Sequence, residues 1–108
     1  MQRMQPSQPT ASIARLSYPQ LTAVRSCLRR DLGEGARAWL FGSRVDLQRR
    51  GGDVDLYVET PRPTSLRDEL LCKLHLKEAL DLPVDLILAQ AGSQTPIGTI
   101  AKSTGLEL

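Results

Sequence analysis

Aromatic side chains are scarce, with one Trp, one Phe and two Tyr in 108 residues. That argues against a stacking platform for single-stranded nucleic acid, which needs rings to lie against successive bases. An excess of one charge is missing too. Lys and Arg number 14 against 12 Asp and Glu, a net charge of +2, too weak to point to a nucleic-acid partner by itself. The two cysteines, Cys27 and Cys72, give neither a zinc spacing nor a disulfide framework. Both read as small buried or half-buried residues in a reducing compartment. The one histidine, His75, falls mid-helix near Lys73 and Lys77 and reads as surface. No apolar run approaches the roughly 20 residues that span a bilayer. The N-terminus lacks the apolar stretch of a secretory signal, so a cytoplasmic protein is expected.

What is present suits one folded domain, with 41% hydrophobic and 24% charged residues. Residues 1–16 hold Gln, Pro, Ser and Thr without periodicity and are expected to form a flexible extension. The domain proper is expected over 17–108. Ser17, Pro19 and Gln20 read as a capped helix start. Leu21, Val24, Leu28 and Leu32 then make one helical stripe, closed by Gly33 and Gly35. "ARAWLFG", Ala36 to Gly42, reads as a strand entering a turn. "DVDLYVE", Asp53 to Glu59, alternates, with Val54, Leu56 and Val58 on one face and both aspartates on the other.

After "TPRPT" a second helix is expected from Ser65 to Leu82, with Leu66, Leu70, Leu71 and Leu74 as its clearest apolar members. "VDLILA", Val84 to Ala89, reads as a third strand with Asp85 opposite its apolar face. Pro96 to Thr104 reads as a short helix closed by Gly105. The loop of about ten residues between the first two strands suits a hairpin-like pairing better than a helical crossover. The expected fold is therefore α/β (α+β), a mixed central sheet of three to four strands with helices packed on it.

Three aspartates carry the chemistry. Asp53 and Asp55, two apart on a strand, share a face with Cα atoms roughly 6.6 Å apart. Carboxylates that close repel; one raises its pKa or both take a cation. Magnesium accepts hard oxygen ligands from one or two carboxylates, together with waters and substrate phosphates. With Asp85 on a neighbouring strand, three carboxylates converge, enough for two ions about 3.5–4 Å apart. An aspartate where a loop meets a strand commonly caps the turn and nothing more. Three that interrupt apolar strands run against β-propensity. Upstream, Gly42 lets backbone N–H groups approach a phosphate, and the Ser43 hydroxyl can donate to one. Arg44, Arg49 and Arg50 offer cationic pairing to a polyphosphate. Neither a Walker A loop nor a Rossmann glycine fingerprint is present.

"LFGSRVDLQRRGGDVDLYVE" resembles the signature of the polymerase-beta-like nucleotidyltransferase superfamily: Gly-Ser, about ten residues, then Asp-x-Asp. The short chain resembles its minimal, MNT-type members, and Asp85 in "VDLIL" matches the third carboxylate. The resemblance implies that Gly42 and Ser43 hold the β- and γ-phosphates of a nucleoside triphosphate. It implies that Asp53 and Asp55 ligate Mg²⁺, and that Asp85 completes a second Mg²⁺ site and helps deprotonate an acceptor hydroxyl. Many relatives have Ser just before the Asp-x-Asp; Gly52 stands there in this chain, which removes one hydrogen-bond donor. Minimal domains of this kind often accompany a HEPN-domain toxin, with the nucleotidyltransferase moving AMP from ATP to a tyrosine of the toxin. A domain of this size leaves little room for an acceptor pocket, so a partner protein is expected to complete the site. The alternatives are a non-catalytic antitoxin that neutralises by contact and a transferase for small molecules.

Overall fold

The computed structural model describes residues 16–42 and 54–108. Helix α1 spans Tyr18–Leu32 and starts as its sequence prescribes. The Ser17 hydroxyl accepts from the Gln20 backbone N–H at 3.2 Å, and the Ser17 N–H donates to Gln20 Oε1 at 2.8 Å. Two otherwise orphaned groups are thereby satisfied. The expected stripe, Leu21, Val24, Leu28 and Leu32, is buried together with Cys27. So is Leu16, the last residue of the expected extension; the rest of that extension lies outside the described residues.

Strand β1 (Arg37–Phe41) pairs antiparallel with β2 (Val54–Thr60). Helix α2 (Leu66–Leu80) then carries the chain over the sheet to β3 (Val84–Gln90), which lies parallel to β2. Helix α3 (Pro96–Thr104) returns the chain to β4 (Leu106–Glu107), which pairs antiparallel with β1. The strand order is β3-β2-β1-β4, a mixed sheet. The expected hairpin, mixed sheet and last helix are all present. The two-residue β4 was not foreseen, being too short to show a period.

Strand alternation divides the core in two. Ala38, Leu40, Val54, Leu56, Val58, Val84 and Leu86 face α1 and α2. Complete burial of a leucine or valine on this face is worth roughly 1.5–3 kcal/mol. The opposite face carries Trp39 and Tyr57, with ring centroids 5.9 Å apart, under Ala101 of α3. On that face Glu59 is 5% exposed; it pairs with Lys102 of α3 and accepts from the Tyr57 hydroxyl at 3.4 Å.

The apolar stripe of α2 differs from the expected one. Its buried residues are Cys72, Leu76 and Leu80, whereas Leu66, Leu70 and Leu74 are exposed and Leu71 is half-buried. Leucines occur on both sides of this helix, so counting them does not find the inner face. Cys72, four residues before Leu76, marks it. The helix also ends sooner than expected, at Leu80, where Asp81 takes a left-handed cap conformation (φ 55°) before Pro83. His75 is not a bare surface residue. It is half-buried, with Nδ1 2.8 Å from Asp31 Oδ2, and ties α2 to α1. Cys27 and Cys72 are free and buried, as expected. Burial pushes the Cys72 thiol up to about 12, which leaves it neutral and unreactive.

Candidate active site

β1 ends where β2 and β3 begin, so one edge of the sheet gathers the end of the first strand and the starts of the other two. Phe41 pairs with Asp55, and Asp55 pairs with Asp85. Register partners on adjacent strands share a face, with strands about 4.8 Å apart. Asp55 and Asp85 therefore stand side by side on the face that α3 covers further along. The alternation that buries Val54, Leu56, Val84 and Leu86 on the opposite face holds both aspartates in this orientation. Asp55 is half-buried and Asp85 exposed.

Gly42, at the end of β1, has φ 78°, a left-handed conformation that suits glycine. A Cβ built there would overlap Oδ2 of the Asp55 carboxylate. The sequence reading gave Gly42 a task toward phosphate; the structure adds that the missing side chain makes room for Asp55. Only the hairpin register could disclose this. Nearby, Gly105 at the end of α3 packs so closely on Leu40 that a Cβ would lie 2.6 Å from its carbonyl oxygen. The chain leaving α3 is thus fixed against the same end of β1.

The structure brings Gly42, Asp55 and Asp85 to one edge. Ser43, Arg44 and Asp53 lie outside the described residues, as do Arg49 and Arg50. Among the described residues no cluster of three His, Cys, Asp or Glu is able to hold a metal. Two carboxylates on neighbouring strands, one of them solvent-facing, form a hard-oxygen donor set of the kind Mg²⁺ accepts when substrate phosphates and water complete its shell. Gly42, lacking a side chain, leaves the space that the Asp55 carboxylate occupies.

A small mixed sheet with helices on both faces and an acidic edge is an α/β domain suited to phosphoryl-group chemistry. The chain belongs to the nucleotidyltransferase domain family, whose model matches residues 21–104. No curated protein matches the chain. Solved structures show a similar fold. A chain of the MntA-HepT toxin-antitoxin complex superposes with a TM-score of 0.64 at 19% identity, covering 82% of this chain and 68% of that one. A chain from a complex of the tri-AMPylated HEPN toxin of Shewanella oneidensis with its MNT antitoxin superposes with a TM-score of 0.58. Its identity is 21%, with coverage of 82% and 70%. Among the described residues no helix is long and apolar enough to cross a membrane.

Proposed function

We propose that residues 17–108 act as a minimal nucleotidyltransferase that moves AMP from ATP to a tyrosine hydroxyl of a HEPN-type toxin, and so serves as its antitoxin. The observation that carries this reading is the register match of Asp55 with Asp85 beside Gly42. The family match supports nucleotidyl transfer. Two similar folds that occur in toxin–antitoxin complexes, one with an AMPylated toxin, support the choice of acceptor.

In this reading the acceptor oxygen bonds to the α-phosphorus of ATP, the bond from that phosphorus to the α,β-bridging oxygen breaks, and pyrophosphate leaves. Asp85, exposed at the strand start, takes the acceptor's proton. Gly42 and Ser43 seat the β- and γ-phosphates, with Arg44 pairing to them. Asp53, Asp55 and Asp85 would hold two Mg²⁺ ions. When bound, these supply electrostatic stabilisation of the charge that grows on the phosphoryl oxygens. The buried, free cysteines suit the reducing cytoplasm where ATP is abundant.

The test is incubation of the protein with α-labelled ATP, Mg²⁺ and a HEPN-domain partner. Label on the partner that disappears with Asp55→Asn supports the proposal. Neutralisation of the partner without label, persisting in Asp55→Asn, would establish the contact-only antitoxin instead.

A further inference from the structure

Helix α2 carries more leucine than its inward packing uses. Leu66, Leu70 and Leu74 recur every four residues along one side, and are 69%, 57% and 49% exposed. This row ends in a notch of about 290 Å³ lined by Leu74, Lys77, Glu78, Asp81, Leu82 and Pro83. Leu74, Lys77, Glu78 and Asp81 stand at i, i+3, i+4 and i+7. That is the spacing of the four residues that frame a hole for a side chain of a facing helix.

We propose that this face of α2 docks antiparallel on α2 of a second copy of the chain. Register and charge both single out this occupant. Seating Leu66 of one copy in the notch of the other places Leu70 among Leu70, Lys73, Leu74 and Lys77 of the facing helix. The same register seats Leu74 among Leu66, Glu69, Leu70 and Lys73. Every knob of the row thus finds a hole, and two-fold symmetry repeats the match in reverse. The flanks agree. Acidic residues, Asp68 and Glu69, occupy the first turn of α2, and basic Lys73 and Lys77 lie further along. Antiparallel pairing sets Glu69 beside Lys73 of the other copy and Arg67 beside Glu78, while parallel pairing sets like charges together. Lys77 lies within the row, where its methylene stem covers leucine while its ammonium reaches water.

α2 lies on the sheet face opposite Asp55 and Asp85, so the pairing leaves their face open and does not depend on the function proposed above. A 15-residue helix is about 22 Å long. The contact therefore falls at the small end of specific interfaces, below roughly 1,200 Å² in total, as in weak, reversible association.

Sedimentation velocity of the full chain alone, from micromolar to the highest soluble concentration, tests the proposal. The expected result is a monomer–dimer equilibrium weakened at least about tenfold by Leu70→Glu, with an unchanged circular dichroism spectrum. Glu69→Lys and Lys73→Glu each weaken the dimer, and the double variant restores it, because the swapped charges again meet across the two-fold axis. A monomer at every concentration overturns the proposal, as does a dimer indifferent to Leu70→Glu. Failure of the double variant to restore association overturns the antiparallel register.

Discussion

Gly42 and Asp55 occupy space that a single methyl group would contest: a Cβ on Gly42 would overlap the Asp55 carboxylate oxygen. Gly42 directly follows Phe41, the register partner of Asp55, so the contact is a consequence of the hairpin. Gly42→Ala must therefore shift the carboxylate, leave the left-handed conformation at φ 78°, or both. The expected stability loss is about 1–3 kcal/mol. Displacing Asp55 by even 1 Å is expected to lower nucleotidyl transfer by about 100-fold. Thermal melts and labelled-AMP transfer measured on the same preparation separate the two effects.

Asp85 gives the complementary case, because its side chain is exposed. Asp85→Asn keeps the shape, removes the charge and withdraws the proton acceptor. Stability is expected to change by less than about 0.5 kcal/mol. Transfer should fall by about 10²-fold or more, in line with the weight of general-base catalysis. Full activity in a folded Asp85→Asn protein would remove Asp85 from the mechanism.

These two residues also show how far the sequence could be read. Asp55 and Asp85 each stand second in an alternating strand, so their common orientation follows from local pattern alone. Helices α1 and α3 were legible for the same local reason, through Ser17 with Gln20 and through Pro96 with Gly105. What was not legible depends on distant partners. The inner face of α2 is chosen by the sheet and α1, and its evenly spread leucines conceal that choice. Tyr57 and Glu59 are buried because α3 returns across them, about forty residues later in the chain. His75 meets Asp31 across 44 positions. The room that Gly42 leaves for Asp55 exists only in the paired hairpin.

The Asp31–His75 contact predicts a response to acid. Burial alone would raise the Asp31 carboxyl, but hydrogen bonds from His75 and Arg30 outweigh it and hold the group below the usual carboxylate range. A carboxyl depressed on folding adds stability above its unfolded pKa of about 4 and loses that contribution as pH falls through its lower, folded value. His75→Ala removes the leading opposing hydrogen bond and lets burial act. The acid-unfolding midpoint should move to higher pH. Stability at neutral pH should drop by about 0.5–1.5 kcal/mol. A pH series of urea melts on both proteins reads both effects, and an unchanged acid midpoint would show that Asp31 owes nothing to His75.

On the other face of the sheet, Lys102 meets two needs at once. It pairs with Glu59, whose side chain is 6% exposed, and its ammonium lies 5.3 Å from the centre of the Trp39 ring. Arg37 sits 5.0 Å from the same ring and is itself held by Glu107 of β4 at 2.8 and 3.0 Å. Lys102→Met keeps the length of the stem but strands a buried carboxylate whose remaining side-chain hydrogen bond among the described residues is the long one from Tyr57. Because Lys102 is itself 40% exposed and water can reach its end of the pair, the expected loss is about 1–3 kcal/mol, below that of breaking a fully buried ion pair. Glu59→Gln in the Lys102→Met background removes the stranded charge and should recover part of the loss. A double-mutant cycle by thermal melts measures the coupling; additive losses would show that the pair contributes no more than its separate parts.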